Sequence, residues 1–167
     1  MIGIGDNRYK LAVYIGNRPP LAEYQTRSNL LPASEGELAM IGQKTGNHWR
    51  KIINIYAKLA YMLNPQAFPN WQTYRDNFLL TAASEQALLF NTTMMTRPSD
   101  TLNIICGKTH AIALLNKSQI DVSSLNWLDQ DFAINPALRL IVTPYFDYRQ
   151  LSNAKLDKLV DIITSMP

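Results

Sequence analysis

The run Leu11-Ala12-Val13-Tyr14-Ile15 is apolar without interruption and ends at once in Gly16-Asn17-Arg18-Pro19-Pro20. A strand with one wet face alternates in polarity; one that does not alternate is covered on both sides, the condition of a central strand in a parallel sheet. The two prolines have no N–H to give to a ladder, so the strand predicted over 10–16 stops there. A sheet covered on both faces needs helices on both, and this run therefore points to a layered α/β fold.

The rest of the chain supplies the parts. Trp49, Ile52, Ile53, Tyr56, Ala60 and Leu63 recur at helical spacing, one apolar stripe about four turns long, with Asn47 as predicted N-cap and Asn64-Pro65 as stop. A second helix is predicted over 70–80, with Trp71, Tyr74, Phe78 and Leu79 inward. The stretch SEQALLFNTTMM over 84–95 reads either as a helix opening at Ser84-Glu85 or as a short strand in ALLFNTT, and its apolar run favours the strand. TLNIICG over 101–107 is a second buried strand feeding a helix over 108–115. After the loop SSLNWLDQD come FAI and LRLIVTP, the latter over 138–144, joined through Asn135-Pro136 in the manner of a hairpin. A last helix puts Leu156, Leu159, Val160 and Ile163 on one face and Lys155, Asp157, Lys158 and Asp161 on the other. Weak patterning over 21–46 predicts a long lid-like loop, with a short helix in SEGELAMIG that Gly36 weakens. The expectation is a single α/β domain over 1–167, a three-layer α/β/α arrangement around a small, mainly parallel sheet.

Composition narrows the classes of function. The chain has 167 residues, 47% apolar and 17% charged, an ordinary globular balance. Its net charge of +3, from sixteen basic against thirteen acidic residues, permits phosphate or acidic partners but forms no dense basic tract. Cys106 is the one cysteine and lies in an apolar run, so the expectation is an inert core thiol in a reducing, cytoplasmic setting. No segment approaches the roughly eighteen apolar residues of a membrane span, the start lacks the pattern of a secretory signal, and Ile2 stands where myristoylation needs glycine. The glycines form neither a dinucleotide fingerprint nor a P-loop, there is no nucleophile elbow, and with only His48 and His110 as histidines no zinc ligand set can be assembled. No cofactor is expected.

In open α/β sheets ligands gather beyond the carboxyl ends of the strands. That rule puts the loops GNRPP, CGKTH and TPYFDYR on one rim. The rim carries Asn17, Arg18, Pro19, Tyr24, Lys108, Thr109, His110, Thr143, Tyr145, Phe146, Asp147 and Arg149, and the start of the Trp-led helix adds Asn47 and Trp49. Rings stack on a planar heterocycle while amides and guanidinium groups read its edge. Each residue also has a bland reading: turn chemistry at Asn17, core capping by Tyr145 and Phe146, a solvated pair at Asp147 and Arg149, and a surface position for His48.

Taken in order, these segments resemble the uracil-DNA glycosylase-like superfamily, and within it the mismatch-specific branch. VYIGNRPP occupies the slot of that family's Gly-Ile-Asn-Pro-Gly, TGNHWRKIINIYAKL matches its Gly-Asn pair before a Trp-led helix, one residue shorter, and NIICGKTHAIALL is similar to its Ile-Leu-Gly-Lys turn into a small-residue helix. LIVTPYFDYRQLSNAKLDKLVDII is similar to the family's last strand, loop and helix, and FNTTMMTRP to the strand that often ends near Arg-Pro. The resemblance implies a nucleobase pocket, with DNA, a nucleobase or a nucleotide as ligand. It also implies an Asn or Asp after the first strand and a His or Asn in the last loop; here Arg18 and Thr143 stand there, and Asn17 falls one position early. A cation beside a sugar that develops positive charge opposes base excision. The expectation is thus a divergent member that binds a nucleobase, nucleotide or nucleic acid without standard excision. The alternatives are an active glycosylase using Asn17 or Asp147 in a rearranged site, and a module docking a protein partner. One feature strains the resemblance: the link from MMTRP to TLNIICG is short for a parallel crossover.

Overall fold

A computed structural model describes residues 1–90, 93, 94 and 100–167. In chain order the elements are β1 (Gly3–Gly5), β2 (Leu11–Ile15), α1 (Ala22–Gln25), β3 (Leu30–Leu31), α2 (Glu37–Thr45), α3 (Asn47–Leu63), α4 (Trp71–Asn77), β4 (Gln86–Phe90), β5 (Leu102–Cys106), α5 (Lys108–Lys117), β6 (Asn126–Trp127), β7 (Ala133–Asn135), β8 (Leu140–Thr143) and α6 (Asn153–Ser165). The strands form one sheet in the order β3-β1-β4-β2-β5-β8-β7-β6.

Its centre is parallel. β2 lies between β4 and β5 and runs with both, and β8 continues the parallel run beside β5. The apolar runs thus occupy the places that their lack of alternation demanded: Val13, Ile15, Leu88, Phe90, Ile104 and Cys106 face α2, α3, α4 and α6, while Ala12, Tyr14, Ala87, Leu89, Ile105 and Val142 face α5. The fold is α/β in three layers. Its flanks are mixed: β1 is antiparallel to β4, and the hairpin expected at Asn135-Pro136 pairs β7 with β8, carrying β6 at the far edge. β1 approaches β4 so closely that a Cβ on Gly3 would sit 2.0 Å from the Leu88 carbonyl oxygen.

The Trp-led helix is anchored by its predicted stripe, with Trp49, Ile52, Ile53, Tyr56 and Ala60 buried, and the buried Tyr56 hydroxyl donates to the Ala87 carbonyl of β4 at 3.0 Å. Three expectations need correction. Asn47 is not the cap of α3: Gly46 holds that position with φ 91°, and the Asn47 carboxamide oxygen instead accepts from Arg50 at 2.9 Å. The second helix is shorter than 70–80; Asn70 does cap it, accepting from the Thr73 N–H at 2.8 Å, but the chain leaves helical geometry at Phe78. The stretch 21–46 is no free loop, since Tyr24, Leu30, Leu38 and Ile41 are buried and it carries α1, β3 and α2.

The stretch 84–95 holds strand β4, which runs parallel to β5. β4 and β5 are not neighbours but lie on opposite sides of β2, and Met94 packs on the α5 face with its N–H donating to Ser118 Oγ at 2.8 Å. The Arg97-Pro98 part of the resemblance falls outside the described residues.

Candidate functional site

From β2 the chain continues on one side of the sheet into β4, whereas β5 lies on the other side. The strand order therefore reverses between β2 and β5, and a crevice opens at such a point beyond the carboxyl ends. The turns after β2, β5 and β8 meet there. Gly107, with φ 89°, turns β5 into α5 and donates its N–H to the Thr143 carbonyl at 2.8 Å. One turn into α5, the His110 ring packs so closely on Gly16 that a Cβ there would lie 3.1 Å from Nδ1.

Above that floor sits a polar cluster. Asn17 Nδ2 donates to the Tyr145 hydroxyl at 2.7 Å, and His48 Nε2 lies 2.9 Å from the same oxygen. The His48 and Tyr145 rings stack with centroids 5.7 Å apart and planes 30° apart. With its proton on Nδ1, the imidazole accepts from the phenol, which meanwhile accepts from Asn17; with its proton on Nε2, it donates to it. Burial raises the Tyr145 pKa, so the phenol stays protonated at neutral pH. The cluster borders a recess of about 520 Å³ lined by Gly16, Asn17, Arg18, Pro20, Gln25, His48 and Trp49, with no carboxylate among them.

The expected site residues divide sharply. Asn17 and Tyr145 come together as the rim reading requires, and Trp49 lines the recess, although 2% exposure and an edge contact with Phe90 also make it a core residue. Arg18 lines the recess, but its guanidinium is turned onto the end of α1, where Nη1 donates to the Tyr24, Gln25 and Arg27 carbonyls at 2.8, 3.2 and 2.8 Å. Tyr24 is not on the rim: it is buried, donates to Glu37 at 2.9 Å and lies under Arg27. Thr143 is buried, and its hydroxyl donates to the Pro144 carbonyl. Phe146 is core, edge-on to Tyr56. Pro19 is buried, and Asn47 is tied to Arg50. Lys108 leans over Trp127 at 4.9 Å. His110 forms the floor, with Nε2 buried and lacking a hydrogen-bond partner among the described residues, and burial lowers its pKa. Asp147 pairs not with the Arg149 side chain but with Lys51 at 3.4 Å, while accepting the Arg149 backbone N–H. That N–H, with Lys51, holds its carboxyl below the ordinary carboxylate range.

The residue that sequence reasoning undervalued is His48. Its hydrogen bond spans 97 positions, a pairing no local pattern announces; its place beside Trp49 at the head of α3 was the available signal.

An α/β domain whose sheet reverses order at a polar, carboxylate-free recess is the class that this fold and site define. Within it, the chain belongs to the family of unknown function DUF6942, whose model matches residues 2–164. No curated protein and no solved structure matches it. Among the described residues no helix is long and apolar enough to cross a membrane, and no group of three His, Cys, Asp or Glu side chains could hold a metal ion.

Proposed function

We propose that the recess binds a nucleobase or nucleotide, as a divergent relative of uracil-DNA glycosylase-like domains that lacks standard base excision. The observation that carries this reading is the Asn17–Tyr145–His48 cluster at the mouth of the reversal crevice. The Asn17 carboxamide keeps an acceptor and a second donor for the edge of a base, and the stacked His48 and Tyr145 rings offer a face for it. The absence of a carboxylate from the lining leaves no charged base to activate water, and Arg18, whose cation is held at the wall, disfavours positive charge on a sugar. A reducing, cytoplasmic location accords with the buried lone thiol of Cys106.

The test is titration of isotope-labelled protein with nucleobases and mononucleotides, followed by amide NMR. Saturable shifts at Gly16, Asn17 and His48 are expected, with affinity at least tenfold weaker in Asn17→Ala; that factor corresponds to about 1.4 kcal/mol, one good polar contact. Absence of shifts with every common base and nucleotide at millimolar concentration overturns the reading. Release of uracil from labelled duplex DNA above a protein-free control, abolished by Asn17→Ala, replaces it with an active glycosylase.

A further inference from the structure

Arg18 leaves one edge of its guanidinium unused. Nη1 is held by the Tyr24, Gln25 and Arg27 carbonyls at 2.8, 3.2 and 2.8 Å, whereas Nε and Nη2 make no hydrogen bond among the described residues. Those two nitrogens lie side by side on the planar group and form the two-pronged edge that fits a pair of anionic oxygens. The residue is half-buried and lines the recess.

No carboxylate balances this cation. Arg27, Lys51 and Arg75 stand 4.0, 3.4 and 2.8 Å from Glu23, Asp147 and Asp76, while Arg18 makes no ion pair among the described residues. Carbonyls are dipoles, so they orient the guanidinium and leave its unit charge in place. The recess supplies no countercharge either: its lining holds no acid, and the first turn of α3, which contributes His48 and Trp49, holds none. The cation is also fixed in advance. A long side chain normally gives up rotamer freedom when it grips a ligand, but the bonds of Nη1 have already removed it, and Gln25 Nε2, donating to the Pro19 carbonyl at 3.1 Å, steadies the loop beneath. His48 adds a second donor: with its proton on Nδ1 and Nε2 accepting from Tyr145, that N–H has no partner among the described residues.

We propose that the Arg18 wall of the recess is a phosphate subsite, which takes the terminal phosphate of a small phosphate monoester on the Nε and Nη2 edge of Arg18, with His48 Nδ1 as a further donor. Donors from two separate segments, the turn after β2 and the head of α3, suit a tetrahedral group with three terminal oxygens better than a planar carboxylate with two. The recess of about 520 Å³ has room for a sugar beside the phosphate. The subsite goes beyond the nucleobase reading and does not require it, because Asn17 and the stacked rings remain for a base.

The experiment follows the side-chain Nε–H resonance of Arg18 by NMR, assigned through its own aliphatic chain, while wild-type protein is titrated with inorganic phosphate, ribose 5-phosphate, UMP and uridine. Sodium chloride at matched ionic strength is the control. The resonance should shift saturably with the three phosphates and stay in place with chloride. UMP should bind at least about tenfold more tightly than uridine, the return on a charge-assisted contact. That advantage should vanish in Arg18→Lys, and His48→Ala should weaken inorganic phosphate about threefold or more. Should Arg18→Lys melt early through loss of its carbonyl bonds, the wild-type resonance decides the matter. Ribose 5-phosphate bound as tightly as UMP identifies a sugar phosphate as the ligand, and tighter UMP identifies a nucleotide; both uphold the subsite. A resonance unmoved by millimolar phosphate, an equal response to chloride, or UMP no tighter than uridine overturns it, and the nucleobase reading then stands if uridine binds. Phosphate binding without uridine binding upholds the subsite and overturns the base reading alone.

Discussion

Arg18 illustrates how a residue's neighbours decide what its charge does. Its position after β2 suggested a cation facing a ligand, yet Nη1 is committed to the Tyr24, Gln25 and Arg27 carbonyls at and just beyond the end of α1. Arg18→Ala should therefore lower stability by about 1.5–3 kcal/mol, the range for hydrogen bonds to a charged group, read as a fall in the urea midpoint. His110 makes a second prediction. Burial lowers its pKa from 6.5, so the folded protein holds it neutral while the unfolded chain takes up a proton as pH falls below that value. Stability from this residue is present above pH 6.5 and lost below it; urea midpoints measured from pH 8 to 5 should fall on the acid side, and less steeply in His110→Gln. Cys106 is fully buried and its thiol pKa is raised by that burial, so an alkylating reagent should modify it in unfolded protein and scarcely at all in native protein.

Among the elements, α3 was the most legible, because a period of 3.6 sustained over seventeen residues is difficult to produce by chance. Its stripe nevertheless understated the burial. Ile55, Ala57 and Leu59 are buried as well, since α2 and α4 cover the helix flanks while the sheet covers its base. Leu59→Ala should cost about 2–5 kcal/mol in chemical denaturation, the range for emptying a closed site in a core. The opposite case is 21–46. Its elements of four, two and nine residues are too short to display a period, and what ties them down is long-range, such as the Ala33 N–H on the Leu80 carbonyl at 2.9 Å. The loop expectation failed there because a few buried residues, Tyr24, Leu30, Leu38 and Ile41, are enough to hold short elements down. The mixed stretch 84–95 resolved to a strand for a related reason, as Gln86 to Phe90 lie wholly inside and pair on both sides.

For the whole molecule, the parallel core β4-β2-β5-β8 is the part every other element leans on, and β6 is a two-residue edge strand with both residues exposed. Amides of Val13, Tyr14 and Ile104 should exchange with deuterium only on global unfolding, whereas those of Asn126 and Trp127 should exchange by local opening. Gly3→Ala should prevent proper docking of β1, since its Cβ would enter the Leu88 carbonyl, and a melting scan should show the loss. The sequence by itself determined the layered α/β class, the buried strands and the rim on which three turns end, because continuous apolar runs and glycine or proline breaks are local signals that burial on both faces requires. Which rim residues meet was left to the tertiary structure. Asn17, His48 and Tyr145 lie far apart in the chain and are joined only by the strand order, while Tyr24, Thr143 and Phe146, equally suited in chemistry, were drawn into the core; hydrogen bonds between distant turns leave no periodic trace in the residues that make them.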